Sequence, residues 1–396
     1  MDKKCIDINS KKDCCGCRNC ENICPRHAIK MIEDKEGFLY PTIDEKKCIN
    51  CGLCRKVCPW LNDIKNKEAF TSICYAVKNK DKNVQKISSS GGAFGVFANV
   101  ILEQNGYVCA SIMDDNFIVS HTITNNKKDL IKMYGSKYVT SDLKNNFLII
   151  RKLLNENKKI LFCGVPCQVN ALLNFLQKNY DNLYTLEIIC HGVPSQKLFS
   201  KYIDYIEKKN NCKVIKYEFR NKKAAYWGTF KALATIEKNG KIYEKKLNAD
   251  FDKYYNNFLE SNCYRESCYV CKYAKKERMA DITIGDFWGI EHIKPKFIDK
   301  NGVSEIIVNT SKGNDLFEKV KNKVDYESIN YSDIIKYNGQ LESPSKRMPK
   351  RNRFYENISK DDYFSKIKVN KNIKTYLKML VPSSLKVYIK KIQRKK

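Results

Sequence analysis

Cys14, Cys17, Cys20 and Cys24 are spaced x2-x2-x3 and followed by Pro25; Cys48, Cys51, Cys54 and Cys58 repeat the spacing and are followed by Pro59. Thiolates are soft ligands, and this run is the bacterial pattern for holding a 4Fe-4S cluster. Three thiolates two residues apart wrap one cubane through a tight loop, while the fourth, carried into a short helix, reaches across to the other. The repeat therefore predicts two clusters, one on Cys14, Cys17, Cys20 and Cys58, the other on Cys48, Cys51, Cys54 and Cys24. Gly16 and Gly52 let the backbone approach sulfur closely, and the prolines end the loops. A pair of structural zinc sites also needs eight ligands, but it does not require this repeat. Cys5 and Cys15 fall outside the pattern and read as bystanders.

The elements that must position such residues can be read further along the chain. Cysteines crowd residues 5–58 and thin out after Cys74, and the polar stretch 62–68 reads as a linker. Ser88-Ser89-Ser90-Gly91-Gly92 precedes Phe94, Phe97, Ala98, Ile101 and Leu102 at helical spacing. Asn105-Gly106 then turns into an apolar run at 107–112. Residues 159–165, 183–189 and 281–287 read as buried strands, and Val169, Leu172, Leu173 and Leu176 lie on a helix between two of them. This alternation predicts a mixed α/β core, of the α+β or α/β class, behind a ferredoxin-like two-cluster domain. The expected divisions are 1–62, 70–150, 151–345 and a basic tail at 346–396. With 43% apolar residues the chain has ample material for such a core.

Nineteen cysteines would suit a secreted disulfide framework, but Met1–Asp7 has no apolar signal core. No stretch approaches the roughly 18 apolar residues of a membrane span. The expectation is a cytoplasmic protein, where clustered cysteines mean metal or redox chemistry. A net charge of +29 suits an acidic partner, an anionic substrate, a membrane surface or nucleic acid, without choosing among them. No helix-turn-helix or aromatic RNA-binding signature is present, which ranks nucleic acid last. Residues 365–396 carry eleven basic side chains and no acidic one. Pro382-Ser383-Ser384 can cap a helix with Leu385, Tyr388, Ile389 and Ile392 on one side and basic residues around the rest. That pattern fits peripheral contact with anionic lipid at the inner membrane face, and equally a solvated tail.

Six motifs then occur in order: Ser88–Phe94, Tyr134-Gly135-Ser136-Lys137-Tyr138-Val139, Cys163-Gly164-Val165-Pro166-Cys167-Gln168, Cys190-His191-Gly192-Val193-Pro194-Ser195, Cys268-Tyr269-Val270-Cys271, and Ala280–Gly289. Over about residues 10–345 the sequence resembles the beta-subunit family of coenzyme F420 hydrogenases and dehydrogenases, in particular bacterial members with a fused two-cluster ferredoxin domain. The resemblance implies a flavin-binding mixed α/β module, with FAD as its flavin, passing electrons between Fe–S clusters and a diffusible two-electron carrier. It implies the fold and the flavin more than F420 itself as substrate, so a small organic substrate also stays open.

Ser89, Ser90, Gly91 and Gly92 stand before a helix, where free N–H groups and hydroxyls can hold a phosphate or flavin edge; read alone, they are an ordinary N-capped helix entry. Ser136 and Lys137 join them as candidate flavin contacts, although a Gly-Ser turn accounts for them equally well. Cys167 and Cys190 each follow a predicted buried strand, and strand ends face the ligand crevice of an α/β sheet. With the Cys268/Cys271 pair they can converge on a third 4Fe-4S cluster, and they match the positions that carry the family's core cluster. Cys263 and Cys163 are substitute ligands; a zinc site or small buried hydrophobes are the alternatives. Cys74, Cys109 and Cys212 read as core residues, and His191 as a structural histidine that can also donate a proton. The functional expectation is an oxidoreductase subunit working with a redox partner protein or ferredoxin. The alternative is a non-enzymatic electron-transfer adaptor of a larger complex.

Overall fold

The computed structural model describes residues 5–8, 10–62, 64, 70–224 and 227–369. Most of the expected linker, and the helix expected at residues 385–395, lie outside them. The N-terminal unit pairs β1 (Ile29–Glu33) with β2 (Leu39–Ile43), antiparallel, with Ile29 opposite Ile43. Short helices Asn19–Ile23 and Leu53–Lys56 sit within the two cysteine runs, each entered through a left-handed residue, Arg18 and Gly52. The buried core of this unit is Ile6, Ile29, Met31, Cys20 and Cys54. So few apolar side chains bury little surface, and thiols occupy much of the centre.

The remainder begins with β3 (Ile73–Asn79), β4 (Tyr107–Met113), β5 (Val119–Thr124), β6 (Ile160–Gly164) and β7 (Leu183–Ile188). The chain then leaves to form β8 (Lys213–Glu218), β9 (Lys231–Lys238) and β10 (Lys241–Asn248), and returns as β11 (Ile282–Asp286), β12 (Ser304–Val308) and β13 (Val324–Ile329). An eight-stranded mixed sheet has the order β13-β3-β12-β11-β7-β6-β4-β5, and β8–β10 make a separate antiparallel sheet. The central strands β4, β6, β7 and β11 are parallel. All five residues of β6 are buried, as expected of a parallel strand covered on both faces. Leu161 and Cys163 face a core shared with helices Ala93–Glu103 and Ser311–Val320. Ile160 and Phe162 face the opposite core, under helices Asn146–Asn155 and Pro166–Leu176.

The smaller sheet closes over an aromatic core that includes Phe199, Tyr202, Tyr217, Phe219 and Tyr254. Phe354, Tyr355, Ile358, Tyr363 and Phe364 join it. This corrects the expectation of a basic tail from residue 346: the stretch that holds these side chains is packed, because its apolar residues find an aromatic core to enter. Among the described residues no helix is long and apolar enough to cross a membrane.

The N-terminal unit is fastened to the larger one through buried polar groups. Arg351 is 1% exposed and grips Glu36 in a two-pronged pair at 2.7 and 2.6 Å. Arg265, equally buried, donates from Nε to the Cys14 carbonyl at 2.6 Å and from Nη2 to the Leu39 carbonyl at 2.8 Å. Asn19 donates to the carbonyls of Val57 and Ala171, and the Tyr273 hydroxyl to that of Pro59. Backbone carbonyls that would otherwise lose water on docking are thereby paired.

Candidate metal centre and adjoining crevice

Cys14, Cys17, Cys20 and Cys58 line a cavity of about 350 Å³ walled by Ile6, Ile8, Met31, Pro41 and Trp60. Cys24, Cys48, Cys51 and Cys54 line a second, of about 340 Å³, with Ile29, Ile49 and Leu53. The fourth cysteine of each run thus crosses to the cavity of the other run. Among the described residues no three His, Cys, Asp or Glu side chains form a group suited to a single metal ion. The thiols stand around open space, a donor set that suits a cubane with iron at each of its corners. Backbone N–H groups point at sulfur: Ile6 to Cys54 at 3.1 Å, Gly16 to Cys14 at 3.3 Å and Ala28 to Cys24 at 3.3 Å. Such bonds favour the thiolate and tune a cluster's potential. Burial works the other way, pushing the Cys14, Cys20, Cys54 and Cys58 thiols up. A bound cation is the usual means of holding buried thiolates ionised.

Two residues read as bystanders belong here. Cys5 lines the second cavity and Cys15 the first. Spacing alone concealed them because both enter from outside the repeat, Cys5 on the segment preceding it and Cys15 between two ligand positions.

A further group of thiols forms where the large sheet meets the N-terminal unit. Cys167 is the second residue of helix Pro166–Leu176, just beyond β6, and Cys190 lies just beyond β7. Cys268 is in the 3-10 turn Glu266–Val270, and Cys271 follows it. These four are electrostatic neighbours. Burial, and then Cys268 and Cys271, push the Cys190 thiol up; burial followed by Cys271 pushes Cys268 up to about 12. Cys167 is raised first by its hydrogen bond with Cys15, then by burial and the thiols around it.

The other cysteines stand apart from the four. Cys163 is in the sheet core, where its thiol feels Lys137. Cys263 is fully buried, its carbonyl taken by the Tyr355 hydroxyl at 2.7 Å, and it neighbours only Cys268 of the four. Cys74 and Cys109 are buried within β3 and β4, and Cys212 follows helix Gln196–Asn210.

Beside this group, the carboxyl ends of β3, β4 and β11 border a crevice. Gly91 packs against the sheet so closely that a Cβ would stand 2.4 Å from the Val77 carbonyl oxygen and 2.5 Å from the Ser304 nitrogen. Gly92 has φ +91°, the left-handed entry to helix Ala93–Glu103. The Ser89 hydroxyl accepts from the Ser136 nitrogen at 2.7 Å and its hydroxyl at 2.9 Å, which leaves the hydrogen of Ser89 to donate elsewhere. Ser90 donates to the Val303 carbonyl at 2.7 Å.

Lys137 donates to the carbonyls of Ser111, Met133 and Tyr134 at 2.9–3.0 Å. Burial pushes its ammonium down to about 7, while three acceptors match the three hydrogens that only the charged form has. Lys137 therefore staples β4 to the 134–139 loop, and offers the crevice its field rather than a free N–H.

Sequence reading missed three residues at this place. Arg220 pairs with Asp286 at 2.9 Å, donates to the Tyr138 hydroxyl at 3.2 Å, and lies over the rings of Phe230 and Trp288. Burial opposes its charge, and Asp286 more than offsets that. Lys222 reaches the carbonyls of Gln85 and Ser90, and burial pushes it down to about 7. Trp227 stacks on Trp288 at 5.3 Å and donates to Asp286 at 2.8 Å. All three come from the loop between β8 and β9, which carries no cofactor motif. Asp286 at the expected strand exit was the only pointer to them.

Residues 157–333 match the family model that describes the C terminus of the coenzyme F420 hydrogenase/dehydrogenase beta subunit, and residues 13–62 match a 4Fe-4S dicluster domain. This chain belongs to the coenzyme F420 hydrogenase/dehydrogenase beta-subunit family. The matched beta-subunit region contains Cys167, Cys190, Cys268, Cys271, Arg220 and Asp286; the loops at 88–92 and 134–139 precede it. The dicluster region contains all eight repeat cysteines and Cys15.

One curated relative is the coenzyme F420-dependent sulfite reductase of Methanocaldococcus jannaschii, 26% identical over 338 residues, which cover 82% of this chain and 48% of that protein. The chain thus spans about half the length of the reductase it matches. One component of an ion-translocating oxidoreductase complex from Methanosarcina acetivorans is 46% identical over 46 residues, 12% of this chain and 16% of its own length. A solved structure of the F420-reducing [NiFe] hydrogenase complex from Methanosarcina barkeri aligns at a TM-score of 0.45 and 17% identity, over 73% of this chain and 89% of the other.

Proposed function

We propose that this protein is an iron–sulfur flavoprotein subunit that relays electrons between its N-terminal 4Fe-4S clusters and a flavin, FAD, through a third 4Fe-4S cluster. From there they pass to or from a diffusible two-electron carrier or an organic substrate, with a redox partner protein or ferredoxin at the other end. Iron–sulfur oxidoreductase chemistry is what the family match and the dicluster domain support. The observation that carries the reading is the grouping of thiols: four around each of two cavities, and four more at the carboxyl edge of the sheet. When bound, cubanes pass single electrons and a flavin exchanges one or two, so together they join one-electron carriers to a hydride acceptor.

The residues of the chain position and shield these groups. Cys14, Cys17, Cys20 and Cys58 would hold one N-terminal cluster, and Cys24, Cys48, Cys51 and Cys54 the other; Cys167, Cys190, Cys268 and Cys271 would hold the third. Arg265 and Tyr273 keep the two units in register through the Cys14 and Pro59 carbonyls. The spare hydrogen of Ser89 and the fields of Arg220, Lys137 and Lys222 favour an anionic ligand in the crevice. Ser90, Ser136, Gly91 and Gly92 shape its wall.

A conducting adaptor without flavin is the second reading, favoured because Ser90 and Lys137 already hydrogen-bond within the protein. Anaerobic purification with iron, sulfide and flavin quantification separates the two. The first reading expects about twelve irons, four per cluster, and one flavin per chain. Twelve irons without flavin would favour the adaptor, and eight would remove the third cluster.

A further inference from the structure

Cys15 occupies the gap between the first N-terminal cavity and the third group of thiols. Its Sγ is within hydrogen-bonding reach of Cys17 on one side and Cys167 on the other. It lines the cavity of Cys14, Cys17, Cys20 and Cys58, and its charge is felt by Cys58, Cys268, Cys271 and Tyr273. The turn that carries it is pinned. Arg265 holds the Cys14 carbonyl at 2.6 Å, and at Gly16 a Cβ would stand 3.0 Å from the Arg265 guanidinium. The following helix is tied across the same boundary by Asn19 to the Ala171 carbonyl at 2.8 Å and by Arg18 to Asp142. The boundary is thus held at fixed distance where the two thiol groups approach.

We propose that Cys15 is the bridge over which electrons cross between the cluster held by Cys14, Cys17, Cys20 and Cys58 and the cluster held by Cys167, Cys190, Cys268 and Cys271. The inference rests on the functional reading above and adds the route to it. Electronic coupling decays steeply through empty space and more slowly through bonded and hydrogen-bonded atoms. A thiol that meets a ligand of each cluster gives a nearly continuous sulfur path. In each transfer one cluster loses one electron and the other gains it, while Cys15 keeps its proton and its oxidation state. The second cavity, with Cys51 exposed at its edge, is then the entry from solvent or a partner, and the first cavity is the inner station.

The test uses the full chain, reconstituted anaerobically, as wild type and as Cys15→Ala and Cys15→Ser. After a rapid pulse of reductant, freeze-quenched samples are followed by low-temperature EPR, with iron measured on the same material. Cys15→Ala should keep the wild-type iron content and cluster potentials, yet fill the third cluster about tenfold or more slowly, the scale of losing a group that contacts a ligand. Cys15→Ser retains a hydrogen-bonding group and should recover much of the rate. Unchanged kinetics in Cys15→Ala at full iron loading would overturn the bridge. Loss of one cluster's iron would also overturn it, by making Cys15 a ligand. A wild-type chain with no third paramagnetic signal would instead sink the functional reading, before any substitution is compared.

Discussion

Cys268 and Lys222 show how differently single side chains are read once their neighbours are known. Cys268 sits among Cys190, Cys271 and Cys167, at the boundary with the N-terminal unit. Cys268→Ser should lower bound iron by about one cluster, four atoms of twelve, while the N-terminal pair and its EPR signal persist. Lys222 meets two carbonyls, those of Gln85 and Ser90, a number that a neutral amine can satisfy. Its folded value near 7 lies below the ordinary 10.5 of the unfolded chain. Between those values the unfolded state binds more protons, so stability contributed by this group rises with pH and is lost as pH falls through about 7. Thiols titrate in part of the same window, so the comparison that isolates the lysine is wild type against Lys222→Met. Urea midpoints measured from pH 7 to 10 should rise less in the variant.

The elements place these side chains at one edge of a sheet. Residues 159–165 and 183–189 were legible as buried strands because a parallel strand covered on both faces is apolar throughout; they are β6 and β7, within a residue at each end. Helices Ala93–Glu103 and Pro166–Leu176 were legible from their apolar spacing. The small sheet of β8–β10 was not: β10 is Lys-Ile-Tyr-Glu-Lys-Lys-Leu-Asn, a mostly exposed strand whose register is set by β9 rather than by burial. The loop between β8 and β9 brings Arg220, Lys222 and Trp227 to the crevice, which is why these residues escaped notice. Gly91 was expected to face a ligand, and the structure gives it a packing reason as well. Gly91→Ala would drive a methyl into the backbone of β3 and β12. The expected cost is about 1–3 kcal/mol, as for other overpacked sites, with the 88–92 loop displaced. Chemical denaturation and flavin content measured on one preparation would check both.

At the scale of the molecule, the docking of the N-terminal unit decides whether the thiol groups form one array. Arg351 and Glu36 are 1% and 8% exposed and come from opposite ends of the described chain. Removing the arginine leaves a buried carboxylate without its partner, a loss of roughly 3–5 kcal/mol for such pairs. Arg351→Met should therefore lower the unfolding midpoint strongly, and Arg351→Met with Glu36→Gln should recover part of it. If docking also fails, electron transfer to the third cluster should slow even where all iron is retained. The same pair explains why the segment following residue 346 is packed: its aromatic side chains and Arg351 together close the core over the N-terminal unit.

By itself the sequence determined the two ligand quartets, since cubane binding is encoded in cysteine spacing a few residues long, together with the strands and helices whose apolar pattern repeats locally. Only the tertiary structure decided that Cys15 stands between two thiol groups, that Cys163 and Cys263 stand apart from the third, and that a loop without a motif supplies the cations of the crevice. Those relations join residues far apart along the chain, Cys15 with Cys167 and Arg220 with Asp286 among them. They arise from sheet order and domain docking, which side-chain type and spacing along the chain do not encode.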